Sequence, residues 1–270
     1  MRVRDALNAA AARLAVMSDT ARLDAELLMA HAVGVEREAL LLHRLDEEAP
    51  PGFELLVERR LAHEPVAYIT GRRAFWTIEL AVGPGALVPR PDSETLIEAA
   101  IVHFGDRAPA RILDLGTGPG TLLLAALDQW PEATGLGIDA SEAALAWARR
   151  NAVPRAQFRL GHWGEGLAER FDLILCNPPY VEAGADLPAD VARHEPASAL
   201  YSGPDGLDDY RLLAPQLARL LAPSGVVCVE IGVGQLISAS ALFAAEGFTI
   251  ESRRDLRGIE RCLVLTLDPL

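Results

Sequence analysis

Asn177, Pro178, Pro179 and Tyr180 run consecutively, directly after an apolar segment that reads as a strand. Two prolines remove two backbone donors and fix two φ angles, leaving a rigid run of carbonyl acceptors beside an asparagine amide. Such a turn can hold a planar NH2 group. The Asn177 side-chain oxygen accepts one hydrogen, the Pro178 carbonyl accepts the other, and the Tyr180 ring lies over the flat group. An amide or exocyclic amino nitrogen needs this help, because its lone pair is delocalised into a π system and it attacks poorly. Accepting both hydrogens draws density toward nitrogen, fixes its orientation and favours the positive charge that develops as a methyl group arrives. In-line placement supplies much of the rest. No strong base is needed before attack, since the proton becomes acidic only afterwards.

A second constellation lies upstream. Asp114, Leu115, Gly116, Thr117, Gly118, Pro119 and Gly120 follow a strand-like run and open a helix. Closely spaced glycines let the backbone turn tightly and approach a ligand. A nicotinamide site turns a helix N-terminus toward a pyrophosphate, which an extra carboxylate would repel. Asp114 suits a positively charged ligand or an amino group, and S-adenosylmethionine carries both an α-ammonium and a sulfonium. A kinase-type phosphate loop is excluded, because the chain contains no lysine to complete it. Asp139 ends the next strand about 20 residues later, where a carboxylate can accept from the ribose hydroxyls of an adenosine. The competing role, capping the helix that begins near Ser141, is one that Ser141 can fill.

The elements that must position these groups follow from hydrophobic period. The first 70 residues read as four short helices. Leu7, Ala11 and Leu14 share one face; Asp19 caps a second helix bearing Leu23, Leu27 and Leu28; a third runs near Glu36–His43; and Pro51 begins a fourth that ends near Ala62. Residues 75–82 read as a strand followed by a turn at Gly83, Pro84 and Gly85, a β-hairpin linker. Asp92 or Ser93 then caps a helix to about Phe104. From Ala110 strands and helices alternate. Strands read at 111–115, 134–138, 157–160, 171–176 and 226–231, and helices near 120–129, 141–151, 207–221 and 235–246. The closing strands 248–253 and 261–267 are too close for a parallel crossover and must pair antiparallel. The expected fold is α/β: a mostly parallel Rossmann-like sheet with its last strand antiparallel, a small N-terminal helical bundle and a hairpin linker. The expected domains are 1–70, 71–90 and 91–270.

Composition narrows the function. The formal charge of −13 over 270 residues argues against wrapping a nucleic-acid backbone, which needs a positive stripe. Residues 1–80 carry 10 basic and 13 acidic groups against 15 and 25 in the remainder, so the N-terminal part repels an anionic partner less. Cys176, Cys228 and Cys262 stand apart in apolar runs and read as buried hydrophobes. With the histidines they show no metal-ligand spacing, so no metal is expected. Arg13 and Asp19 break the apolar start, which argues against a signal peptide. No apolar run is long enough to span a membrane, and a cytoplasmic monomer is expected.

Taken together these features resemble the Rossmann-like S-adenosylmethionine-dependent methyltransferases. More closely they resemble the HemK/PrmC family of peptide-chain release-factor glutamine N5-methyltransferases. The resemblance covers nearly the whole chain. It includes Tyr68 to Gly71 leading to Phe75 and Trp76, Val88 to Glu94, His194 to Pro196 with Ala199 and Leu200, and Gly203 to Tyr210. It continues through Glu230 to Gly232 with Gln235, and Asp255 to Gly258. It implies that Gly116–Gly120 hold the methionine end of the cofactor, Asp139 the ribose, and Trp163 the adenine. Asn177 would meet both cofactor and substrate, with Pro178, Pro179 and Tyr180 completing an amide pocket. The implied substrate is the glutamine of the Gly-Gly-Gln motif in class I release factors, and the implied role of residues 1–70 is to help dock that partner. His162 stands where an acidic residue usually meets the adenine amino group; a neutral imidazole can accept that hydrogen bond and a protonated one cannot. Cys176 replaces a common serine, Pro119 interrupts the loop, and Ile259 with Glu260 departs modestly from the closing motif. Arg90 and Glu94 are candidates for lining the substrate cleft. Glu195 and Asp205 fall in the segment 181–206, whose irregular pattern suggests a substrate-facing cover; Glu230 reads as a strand-end carboxylate at the cleft floor. The competing readings are a ribosomal-protein glutamine methyltransferase, a DNA or RNA amino-methyltransferase using the same turn, a non-catalytic cofactor-binding protein and a nicotinamide dehydrogenase.

Overall fold

The computed structural model describes residues 1–267; the last three positions of the expected 91–270 domain lie outside the described residues. The chain packs as two compact units. One comprises Met1–Arg72, Val82–Pro84 and Leu187–Glu195, the other Arg73–Ala81, Gly85–Asp186 and the chain from Pro196 onward.

The first unit is helical: α1 (Val3–Leu14), α2 (Ala21–Val33), α3 (Arg37–His43), α4 (Phe53–Leu61) and a fifth short helix, α5 (Val66–Thr70), beyond the four expected from periodicity. Its core joins Leu7 and Leu14 of α1 to Leu28 and Met29 of α2, with Leu40, Phe53 and Val57. Three expectations need correction. Asp19 does not cap α2; Thr20 holds that position, and its hydroxyl donates to Asp24 at 3.1 Å. Pro51 precedes α4 by two residues. The leucine stripe of α2 is only partly inside, since Leu28 is buried and Leu23 exposed, while Asp24 and Glu26 are buried. The two carboxylates can be inside because each has a cationic partner. Arg60 donates to Asp24 at 2.9 Å and also faces Asp190 of the helix α9 (Ala189–His194) at 3.5 Å, while Glu26 accepts from Arg22 and Arg37.

The second unit opens with a hairpin, β1 (Arg72–Phe75) and β2 (Ile78–Ala81), so residues 75–82 are not one strand. The reversal falls at Trp76 and Thr77, where Trp76 takes φ 55°, and not at Gly83–Gly85. Then come α6 (Glu94–Phe104), β3 (Arg111–Leu115), α7 (Thr121–Gln129), β4 (Thr134–Asp139), α8 (Glu142–Asn151), β5 (Ala156–Leu160), β6 (Phe171–Cys176), α10 (Asp208–Leu220), β7 (Leu221–Glu230), α11 (Leu236–Ala245), β8 (Phe248–Arg254) and β9 (Glu260–Leu267). The seven strands lie in the order β5-β4-β3-β6-β7-β9-β8, and only β9 runs against the rest. This is the expected α/β sheet with an antiparallel last strand. Strand order reverses between β3 and β6, which pair in parallel with Leu115 opposite Cys176. Crevices in such sheets open at the carboxyl ends of the strands flanking that reversal. Among the described residues no helix is long and apolar enough to cross a membrane.

Arg60→Ala would leave Asp24 buried without its cation. We expect a loss of about 3 kcal/mol in denaturant-induced unfolding, whereas Arg13→Ala, which removes exposed pairs with Glu54 and Glu58, should cost under about 1 kcal/mol.

Candidate active site

β3 ends at Leu115 and the chain turns through Gly116, Gly118 and Gly120, which take φ of 74°, 55° and 90°. A Cβ on Gly116 would lie 3.1 Å from the Trp163 ring, so the loop passes directly beneath that indole. The loop's N–H groups are all engaged or missing. Gly116 and Thr117 donate to the Ile138 carbonyl at 2.9 Å, Gly118 donates to Asp139 Oδ2 at 2.8 Å, and Gly120 donates to the Thr117 carbonyl. Pro119 has none. A phosphate-binding loop must offer free donors; this one offers close approach and carbonyl oxygens.

Two cavities meet at Gly116, Gly118 and Asn177. The larger, about 330 Å³, is walled by Asp139, His162, Trp163 and Pro179, with Pro196 and Ser198 on another side. The smaller, about 50 Å³, is lined by Arg90, Ser93, Asp114, Thr117 and Pro119. Asp139 accepts from Ser141 N through Oδ1 and from Gly118 N through Oδ2, and a carboxylate's roughly four lone-pair sites leave acceptor capacity over. Burial pushes its pKa up. Ser141 caps α8 through Ala144 N, so Asp139 is not needed for that task. Asp114 is nearly fully buried, and desolvation pushes it up to about 7 against the opposing bonds from Thr117 Oγ1 (2.6 Å) and Leu123 N. Its Oδ1 has no hydrogen-bond partner, as does the buried Nε1 of Trp163, which itself takes φ 51°. His162 lines the larger cavity and sets Nδ1 3.5 Å from Glu165.

The Asn-Pro-Pro-Tyr turn leaves β6 beside the glycine loop. Asn177 Nδ2 donates to Ser93 Oγ at 3.1 Å, and Tyr180 Oη donates to Glu230 Oε1 at 3.0 Å. Gln235 clamps the turn's end by donating to the Tyr180 carbonyl at 3.0 Å. Gly206 approaches the same carbonyl so closely that a Cβ there would meet it at 2.3 Å. Glu230 is fully enclosed, and desolvation raises its pKa to about 7. Burial likewise raises the Tyr180 phenol, with the Glu230 charge adding to it. Gly120, Pro178 and Tyr180 line neither cavity.

Other candidates sit elsewhere. Glu94 accepts from Trp76 N at 2.9 Å and so fixes the hairpin's reversal; it does not line the cavities. Asp205 pairs with Arg211 on the surface at 2.6 Å. The segment 181–206 is less irregular than its pattern suggests, with α9, a short 3-10 turn at Ala197–Ala199 and a bridge between Val181 and Tyr201. Pro196, Ser198 and Ala199 of this segment wall the larger cavity. Ser93 holds the N-cap position of α6 without a side-chain capping bond; its hydroxyl faces Asn177 instead, a role hidden by its position in a Pro-Asp-Ser helix entry. Cys176, Cys228 and Cys262 are buried free thiols.

Residues 5–71 match the PrmC N-terminal domain family and residues 107–248 a methyltransferase domain family. The release factor glutamine methyltransferase of Rhodospirillum rubrum is 44% identical over 90% of this chain and 78% of its own; that of Caulobacter vibrioides is 41% identical over 93% and 91%. A solved methyltransferase from Pyrococcus furiosus shares the fold at 18% identity, with a TM-score of 0.52 over 77% of this chain and 95% of its own.

The folded chain holds a proton on Glu230 up to about pH 7, whereas the unfolded chain releases it near 4.5, so stability falls as pH rises through that window. Glu230→Gln, read by thermal unfolding of the ligand-free protein between those pH values, should flatten part of that decline. Asp114 contributes in the same direction and leaves a residual slope.

Proposed function

The chain belongs to the release factor glutamine methyltransferase family, and from that premise we propose that it methylates the side-chain amide nitrogen, N5, of the glutamine in the Gly-Gly-Gln motif of class I peptide chain release factors. S-adenosylmethionine is the methyl donor and S-adenosylhomocysteine the product. The observation that carries this reading is the meeting of the two cavities at Asn177, an amide whose NH2 is already held by Ser93.

The residues present fit the donor. The larger cavity has an aspartate with acceptor capacity left over, for the ribose, and an indole beside the glycine loop, for the adenine. The smaller one has Arg90 and Asp114, a cation and a carboxylate, which suit the zwitterionic amino-acid end. An ammonium there would lower the proton affinity of Asp114 and fill its unpartnered Oδ1. His162 would meet the adenine amino group. When bound, S-adenosylmethionine supplies an electrophilic methyl carbon.

This chain's residues then aim the nucleophile. Asn177 Oδ1 and the Pro178 carbonyl accept the two amide hydrogens, and the prolines keep those acceptors rigid. Pro179 shapes the wall, and Tyr180, tethered through its hydroxyl to Glu230, anchors the end of the turn. As the nitrogen gains positive charge these acceptors strengthen, and the proton leaves afterwards to water. Residues 1–70 serve to dock the release factor.

Incubation with S-adenosylmethionine and a class I release factor should add one methyl to the Gly-Gly-Gln glutamine, located by tandem mass spectrometry. Asn177→Ala should lower kcat roughly 10²- to 10³-fold, and a release factor with Gln→Ala should take no methyl. Transfer to a ribosomal protein or to nucleic acid instead would leave the chemistry standing and overturn the assigned substrate.

A further inference from the structure

Asn177 can serve a substrate amide only when Oδ1, and not its NH2, faces the cavity. The two orientations are nearly identical in shape, so hydrogen bonding decides between them. In this structure the partner is Ser93, which is 2% exposed and accepts from Nδ2 at 3.1 Å. Its hydroxyl carries one proton and two lone pairs. That hydroxyl also faces the Glu230 carboxyl group, closely enough to lower its proton affinity, although Glu230 Oε2 has no hydrogen-bond partner. In its ionised form the carboxylate draws the hydroxyl proton toward itself, which leaves a Ser93 lone pair for Nδ2–H. The same carboxylate accepts from Tyr180 Oη at 3.0 Å. One enclosed side chain at the end of β7 therefore lies behind both the first and the last residue of the turn.

We propose that Ser93, backed by Glu230, is a positioning residue of the methyl transfer: it holds the Asn177 amide with Oδ1 turned toward the substrate nitrogen. The proposal rests on the glutamine-methylation reading and names the group that fixes its acceptor. A flipped Asn177 would present a donor to the substrate's own N–H, and the transfer would lose one of its two acceptors.

The test compares Ser93→Ala and Ser93→Thr, alone and with Asn177→Ala. Ser93→Ala should lower kcat on the release factor roughly tenfold, the value of about one hydrogen bond. Ser93→Thr, which keeps the hydroxyl, should recover most of the rate. In the Asn177→Ala background Ser93→Ala should add no further loss, because the group it aims is gone. Independently, the Asn177 side-chain NH2 signals of 15N-labelled, substrate-free protein should shift and exchange faster with water in Ser93→Ala.

An unchanged kcat, an equal further loss without Asn177, a Ser93→Thr variant as slow as Ser93→Ala, or unchanged NH2 signals would each overturn the proposal. If the unaltered protein moves no methyl to a release factor, the substrate reading fails, and the NH2 signals still decide whether Ser93 aims Asn177. Should Ser93→Ala not fold, Glu230→Gln replaces it: perturbed NH2 signals support the device, and signals and kcat like those of the unaltered protein overturn it.

Discussion

The pairing of β3 with β6 is the constraint on which the site depends. It sets Leu115 opposite Cys176, so the two chains leave the sheet side by side at the point where strand order reverses. One exit is a glycine loop that must pass close beneath an indole; the other is a double-proline turn that cannot flex. Neither segment has a use for a ligand alone. Their adjacency makes Gly116, Gly118 and Asn177 common to both cavities. Both strands are buried along nearly their whole length, with Ile112, Leu113 and Leu115 of β3 beside Leu173, Ile174 and Leu175 of β6 in the core.

That adjacency has an electrostatic consequence. Asp114 and Glu230 are enclosed carboxylates in an already acidic chain, and desolvation raises both toward neutrality. A core built for stability would replace them with apolar groups. Each instead keeps one oxygen without a hydrogen-bond partner. Asp114 spends its other oxygen on Thr117 and the start of α7, which stiffens the loop. Glu230 spends its other oxygen on Tyr180, which stiffens the turn. The same economy appears in the loop's N–H groups, which bond back to β4 and Asp139 and so fix the backbone without reserving donors for an anion.

The sheet, the glycine loop and the proline turn were legible because each has a local signature: apolar period, φ-permissive residues, or φ-fixing ones. What was not legible depends on pairs distant in sequence. Ser93 and Glu94 sit at a helix entry and look like capping residues, yet they face Asn177 and Trp76 N, 84 and 18 positions away. The buried Asp24 and Glu26 broke the helical stripe expected for α2, because arginines from α4 and the start of α3 neutralise them inside the bundle. The hairpin reversal went unrecognised because Trp76 adopts a left-handed φ that sequence rules reserve for glycine and asparagine. An accepting bond from Glu94 to its N–H holds it there.

A turn built from neutral acceptors is a better match to an amide nucleophile than a basic side chain would be. An amide N–H is far too weak an acid for a carboxylate or imidazole to ionise before attack, so a base would add a charge without adding a nucleophile. Fixed carbonyl and amide dipoles gain strength only as positive charge appears on nitrogen, and they need no reorganisation to do so. Their cost is directional: an asparagine amide aimed the wrong way is a donor. A site of this kind must therefore hold the orientation of its asparagine as firmly as a general-base site holds a protonation state, and the group that meets the Asn177 NH2 is the Ser93 hydroxyl.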